Sequence, residues 1–405
     1  MGGSLTLFRI AGIEVRMHWS FLLIILYGAF IFGAGGGNMI VGAFYGVLVI
    51  LLLFVCVTLH EFGHALVAKH FGVNTPYITL LPIGGVASLE RMPDNPSQEF
   101  LIAIAGPTVN FIIALILTPI TLAVAAVQSG PAAAMDMHIF TQALYNAQTP
   151  GLVNLLGYLV MLNLLLGLFN LLPAFPMDGG RILRSLLAIW MSYVQATRVA
   201  VFVGQVMAAL FVVWGIFGGN FFLLLIAFFI YFGGGGELAG VESRAVLKNV
   251  PVHRALRPNA VSLYVSEHID RAVDLAMHSH QSNYPVMDLG GDFVGVLTHS
   301  RLVHGLREGG PNARVVDYMI PADQIPACRP DDDLADVWEK MSASANRVMA
   351  VMDGSRFLGL LSADDITEMI HVMGAAMNRS RRQNAGHPDA DGPASTDDAT
   401  TDARV

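Results

Sequence analysis

Three polar residues stand inside a long apolar run: His60 and His64, with Glu61 beside the first, in His60-Glu61-Phe62-Gly63-His64. On a helix, residues four apart rise about 6 Å and share one face. Two imidazoles so placed suit one tetrahedral zinc ion, and in the HExxH pattern the Glu lies beside the open position as general base for a metal-activated water. The bare pattern arises by chance in many chains, so its setting carries the weight. An ionisable group within an apolar span is costly unless it is paired, coordinated or hydrated, and a polar packing contact would explain one of these residues but not all three.

Catalytic zinc usually takes three protein ligands. His70 gives the spacing HExxHxxxxxH, but Val67 stands where a helix-breaking glycine would be needed. On a continuous helix His70 lies about 9 Å further along than His64 and about 120° around from it, out of reach of a shared metal. The rival is Asp178, in Asn170-Leu-Leu-Pro173-Ala-Phe-Pro176-Met-Asp178-Gly179-Gly180, where two prolines and two glycines interrupt an apolar segment. Such breaks place backbone and acidic side chains at membrane depth only where they line a cavity. Cys56, four residues before His60, shares its face and reads as a small packing residue rather than a ligand.

The elements that must carry these residues are membrane helices. Hydrophobic residues make up 54% of the 405 and charged residues 13%, about half the usual charged share. Residues 1–250 hold 9 Lys/Arg and 9 Asp/Glu, residues 251–405 hold 14 and 22, so a membrane part precedes a soluble one. Six apolar runs, about 17–34, 39–69, 100–127, 151–172, 198–217 and 219–232, have roughly the length a bilayer core needs. Residues 73–93, with Pro76, Pro82, Gly84 and Gly85, read as extended or turning chain. With six spans and a cytoplasmic N-terminus, all nine basic residues of the first part fall on the inner side, which places the soluble part in the cytoplasm. The N-terminus lacks the apolar core and cleavage site of a removable signal peptide. The net charge of -8 comes from the second part, and without a basic stripe no nucleic-acid partner is expected. Cys56 and Cys328 lie in different parts and are expected as free thiols.

Gly233–Gly236 is expected as a flexible break after the last span, and residues 379–405 as a disordered tail. Between them runs a repeat: YPVMDLGGDFVGVLTHSRLVHGL (284–306) aligns with MAVMDGSRFLGLLSADDITEMI (349–370), each copy reading strand, turn, strand, helix. This resembles a tandem pair of CBS domains, 236–307 with its linker and 308–378. The resemblance implies an adenosine-nucleotide site in which a Ser/Thr and, three residues on, an Asp bind phosphate and ribose. The second copy has Ser362 and Asp365; the first has Thr298, but Arg301 stands where the Asp would be. A purely structural or dimerising module is the competing reading, in which Asp364 and Asp365 merely favour a helix N-terminus.

In order along the chain, HEFGH at 60–64, GGVA at 84–87, Gly106-Pro107-Thr108-Val109-Asn110 and NLLPAFPMDGGR at 170–181 resemble the site-2 protease family of intramembrane zinc metalloproteases, over about residues 1–235. The resemblance implies His60, His64 and Asp178 as ligands of one zinc ion per subunit, Glu61 as catalytic base and acid, and Asn170 as a donor to substrate or oxyanion. An interhelical bond or cap competes for Asn170, and Asn110 is read as such a structural contact. The expected whole is a polytopic α-helical membrane protein of about six spans followed by a cytoplasmic α/β CBS pair, in a bacterial cell membrane. Its expected substrates are single-span regulators such as anti-sigma factors, unwound at the scissile stretch and laid along 74–88 as an added strand. A homodimer through the CBS domains is a further expectation. The alternatives are a metal transporter or sensor gated by the CBS pair, and a catalytically silent scaffold.

Overall fold

The computed structural model describes residues 4–385 apart from 36, 83, 89–92, 94, 137, 258–259, 280 and 345. They form two compact units, Met1–Val241 and Glu242–Val405.

The first unit opens on a sheet of which the sequence reading held only the extended, turning chain of residues 73–93. Strands β1 (Ser4–Ile10) and β2 (Ile13–His18) form a hairpin, and β3 (Tyr77–Leu81) pairs parallel to β2 and antiparallel to β4 (Gly84–Ala87). The order is β1-β2-β3-β4, which leaves β4 at an edge. Alternation in β2 and β3 sends Ile13, Val15, Ile78 and Leu80 into a core with Phe21, Phe54 and Phe62. Because β2 runs to His18, the first apolar run yields only 15 residues of helix, α1 (Phe21–Gly35), about 22 Å long where a bilayer core is about 30 Å.

Five other helices among the described residues are long and apolar enough to cross a membrane. They are α2 (Met39–His70) and α3 (Pro96–Ser129), followed, after the short α4 (His138–Tyr145), by α5 (Leu152–Asn170), and, after α6 (Asp178–Leu187), by α7 (Tyr193–Phe217) and α8 (Phe221–Leu247). Asn38 caps α2 by accepting from the N–H groups of Ile40 and Val41, and Asn95 caps α3 ahead of Pro96. Ser192 and Gln195 form a capping box on α7. Gly233–Gly236 does not break the chain; α8 continues through it. At membrane depth an unpaired amide is costly, so the helical hydrogen bonds outweigh the weak helix preference of glycine.

The second unit holds two sheets, one for each repeat. In the first, β5 (Leu263–Tyr264), β6 (Asn283–Met287), β7 (Phe293–Thr298) and β8 (Ile320–Pro321) follow in order, with α9 (Ile269–His278), α10 (His299–Glu308) and α11 (Val315–Tyr318). In the second, β9 (Ala327–Cys328), β10 (Val348–Asp353) and β11 (Arg356–Ser362) are ordered β11-β10-β9, with α12 (Leu334–Ala343) and α13 (Ala363–Ala385). The hairpins β6–β7 and β10–β11 are the two aligned stretches, and the Phe293 and Phe357 rings stack at 4.3 Å. Residues 379–385, expected in an unstructured tail, continue α13; the rest of that tail, 386–405, lies outside the described residues. The expected plan of membrane helices followed by an α/β pair of repeats is the plan observed.

Candidate metal centre

Helix α2 brings His60 and His64 to one face, and both side chains are buried. Each imidazole is oriented from α3. The Nδ1 of His64 meets the Ile102 carbonyl oxygen at 2.7 Å and that of His60 meets Asn110 Oδ1 at 2.5 Å. A carbonyl oxygen only accepts, so both Nδ1 atoms carry the proton and both Nε2 atoms present a lone pair. Those two Nε2 atoms are 3.1 Å apart, and Asp178 Oδ2 lies 3.1 Å from that of His64 and 3.3 Å from that of His60.

Three electron-rich atoms at such spacings repel unless a cation sits among them. Ligands about 2.0 to 2.1 Å from a tetrahedral zinc ion stand about 3.3 Å from one another, and two imidazoles with a carboxylate are a zinc-type donor set. The residues therefore fit zinc. Gly106 keeps the space free: a Cβ built there would come within 2.2 Å of His64 Nε2 and 2.7 Å of His60 Nε2.

Asp178 opens α6 after the Pro-bearing turn Leu171–Met177. The turn folds back on itself through Ala174 N–H to the Leu172 carbonyl at 2.7 Å and Met177 N–H to the Ala174 carbonyl at 3.0 Å. Gly179 lies hard against the Leu171 and Leu172 carbonyls, with no room for a side chain. The helix is fixed by Arg184, which is wholly buried. Its Nη2 and Nε donate to Glu99 Oε1 at 2.5 and 2.8 Å, and its Nη1 donates to Glu237 Oε1 at 2.6 Å. The guanidinium also lies over the rings of Phe175 and Tyr193.

Glu61 Oε2 accepts the Ala87 N–H of β4 at 3.1 Å. The Glu61 side chain, the three clustered residues, Asn170 and Arg181 line one cavity of about 380 Å³, which Gly84, Gly85 and Ala87 also border. The side chain of Asn170, the last residue of α5, forms no hydrogen bond among the described residues. His70 is exposed at the end of α2 against Phe71 and stands apart from the cluster.

Asn110, expected from the sequence as a structural cap or interhelical bond, does bond between α2 and α3, and the residue it holds there is His60; its amide donates in turn to Asn163 Oδ1 at 3.2 Å. Asn163 is buried and its Nδ2 lies 3.3 Å from Cys56 Sγ. Glu99, Arg184 and Glu237 were missed as a group. Their signal was present, since ionisable residues in or beside apolar runs call for a partner, but the pairings span 85 and 53 positions.

In the second unit, Ser362 and Asp365 are engaged with each other. The Asp365 carboxylate accepts from the Ser362 N–H at 3.0 Å and hydroxyl at 2.5 Å, while Asp365 N–H donates to Ser362 Oγ at 3.3 Å. The other Asp365 oxygen accepts from Arg257 Nε. Thr298 caps α10 by accepting from the Arg301 N–H at 3.4 Å. Thr298, Arg301 and Ser362 nevertheless line one cleft of about 320 Å³.

Residues 48–214 match peptidase family M50, and residues 252–308 and 315–372 each match the CBS domain family. The chain is 33% identical to a zinc metalloprotease of Methanocaldococcus jannaschii over 373 residues, covering 92% of this chain and 98% of that one. It is 29% identical to Rip3 of Mycobacterium tuberculosis, a protein named as a candidate zinc metalloprotease, over 92% of this chain and 94% of that one. Among solved structures it is similar to a site-2 protease from Methanocaldococcus jannaschii, at 36% identity and a TM-score of 0.40, covering 58% of this chain and 95% of that one.

Proposed function

We propose, from the fact that this chain belongs to peptidase family M50 and is a zinc metalloprotease of the site-2 type with a CBS pair, that His60, His64 and Asp178 hold one zinc ion per chain and that Glu61 is the base in cleavage of membrane-spanning substrates. The observation that carries this reading is the convergence of two imidazole lone pairs and one carboxylate oxygen within 3.3 Å of one another in a cavity that Glu61 also lines.

Zinc bound there supplies Lewis-acid polarisation of the scissile carbonyl and acidifies water. Glu61, steadied by Ala87, takes the proton from the attacking water and returns it to the leaving amine. Asn170, on the cavity wall with no partner of its own among the described residues, donates to the substrate carbonyl. A substrate helix hides its carbonyls in its own hydrogen bonds, so the scissile stretch unwinds first. The edge strand β4, whose Gly84, Gly85 and Ala87 border the cavity, is the surface on which the extended stretch adds as a strand.

The substrates under this reading are single-span regulators in a bacterial cell membrane, anti-sigma factors being the class the family resemblance suggests. The nine basic residues of the first part support cytoplasmic termini. The cleft lined by Thr298 and Ser362 takes an adenosine nucleotide, with Arg257 giving up Asp365 when ribose arrives, and the CBS pair also joins two copies.

The test is cleavage of a generic single-span substrate in liposomes, with zinc content measured on every preparation. Glu61→Gln is expected to keep its zinc and to lose about 10²- to 10⁴-fold in turnover. A Glu61→Gln protein that cuts as fast as wild type would remove Glu61 as the base, and a zinc-loaded wild type that cuts nothing would favour a metal carrier.

A further inference from the structure

Helix α8 turns one stripe toward the turn that carries Asp178. Ala227 and Ile230 pack with Ala174 and Met177 of that turn. Phe229 borders the metal cavity. Gly233 lies so close to Pro176 that a Cβ built on it would stand 2.7 Å from Pro176 Cδ. Glu237 accepts from Arg184 at 2.6 Å. Phe229, Gly233 and Glu237 recur at intervals of four and so lie on one face of the helix. The two residues that α8 grips, Pro176 and Arg184, bracket Asp178 in the chain.

The second half of the grip ends on the helix that orients the histidines. The remaining Arg184 donors go to Glu99, three residues before Ile102, whose carbonyl holds His64. Glu99, Ile102, Gly106 and Asn110 thus tie α3 to Asp178 through Arg184 and to both imidazoles directly. The four consecutive glycines of α8 are not equivalent in this arrangement. Gly233 is in closest approach, whereas Gly235 and Gly236 meet nothing within 4 Å.

We infer that Gly233 and Glu237 are positioning residues for Asp178: the seating of α8 against Pro176 and Arg184 sets where the Asp178 carboxylate stands relative to the two histidines. The inference rests on the reading that Asp178 completes the zinc site. It gives the glycine run a local purpose, since only its first member must be glycine. It also makes α8, the helix through which the chain leaves the first unit, the element whose displacement is felt at the third ligand.

The experiment uses the full chain in detergent, stripped of metal and titrated with zinc against a chromophoric chelator, with the melting temperature of the metal-free protein and the kcat and KM for a single-span substrate measured alongside. Gly233→Ala is expected to weaken zinc binding about tenfold, the scale found when groups supporting a ligand are disturbed, and to lower kcat with KM little changed. Gly235→Ala and Gly236→Ala are expected to bind zinc and cut as wild type does. Glu237→Ala is expected to weaken zinc binding several-fold without lowering the metal-free melting temperature, and Glu237→Gln, which keeps an acceptor for Arg184, to recover most of the loss. If Gly233→Ala does not fold, the Glu237 pair decides. Equal effects at Gly233, Gly235 and Gly236, or Glu237→Ala with wild-type zinc affinity, would overturn the inference. Asp178→Ala separates the two levels: if it loses zinc while Gly233→Ala and Glu237→Ala do not, only the positioning role falls, and if it keeps wild-type zinc affinity, the ligand assignment falls and the inference with it.

Discussion

The two units use the same kinds of polar residue to opposite ends. In the membrane unit, side chains from α2, α3 and α6, separated by as many as 118 positions, meet at one point, and the polar atoms there are spent on one another: His60 on Asn110, Asn110 on Asn163, His64 on a backbone carbonyl. In the second unit, the Ser362–Asp365 pair and Thr298 engage groups three residues away, on the first turn of their own helices, although Asp365 also accepts from Arg257. The difference follows from the solvent. Water satisfies a polar group anywhere on a soluble domain, so a motif there can be a cap and nothing more. Hydrocarbon satisfies none, so a polar residue in an apolar span needs a protein partner or a ligand.

The contrast is broken most forcefully at Asn110. Asn110→Ala removes the acceptor that fixes the His60 tautomer and the donor to Asn163 Oδ1, and the expected outcome is a loss of about 10- to 100-fold in zinc affinity or activity. Zinc titration of the metal-stripped protein checks it. Wild-type affinity in Asn110→Ala would mean that the polar chain behind His60 joins the helices without acting on the metal.

The matching substitution in the second unit should do much less. Ser362→Ala removes the cap of α13 and one partner of Asp365, which is expected to cost about 1 kcal/mol of local stability and to leave zinc affinity and cleavage of a nucleotide-free preparation as they were. Hydrogen exchange over 363–370 reads the local effect. The comparison sharpens when adenosine nucleotides are added: a gain in protection over the same residues in wild type, absent in Asp365→Asn, would show that the cap doubles as a ligand contact.

How far each unit could be read from its sequence follows from the same contrast. The HExxH face of α2 was legible because helix periodicity is local, and Asp178 was legible because prolines and glycines break an apolar run conspicuously. The repeat at 284–306 and 349–370 was legible by self-alignment. What could not be read were pairings between distant segments. Nothing near Asn110 marks His60 as its partner, and nothing near Glu237 marks Arg184. The β1–β2 hairpin went unread because Leu5, Phe8 and Ile10 on one strand and Ile13, Val15 and Met17 on the next merge into the apolar character of the span that follows. Gly233–Gly236 was misjudged by applying propensities of aqueous helices to a chain without water.

The smallest expected effect concerns the two buried thiols, one in each unit. Cys56 has Asn163 Nδ2 at 3.3 Å, within the polar chain behind the candidate metal centre. Cys328, on β9, is packed in the core of the second repeat with Val337, Met349 and Val351. Burial, and then the nearby Asp332 carboxylate, push the Cys328 thiol up to about 11, against the opposing pull of Lys340. Only the thiolate is reactive, so at pH 8 roughly one molecule in a thousand carries it, against about a quarter of molecules for a free cysteine with an ordinary pKa of about 8.5. In a Cys56→Ala protein, alkylation of Cys328 is therefore expected to run more than a hundredfold slower than in the denatured chain at pH 8, and to rise with each unit of pH up to about 11. Alkylation as fast as in the denatured chain would mean that β9 opens readily, and the second unit would then be the looser of the two at its core as well as in its use of polar residues.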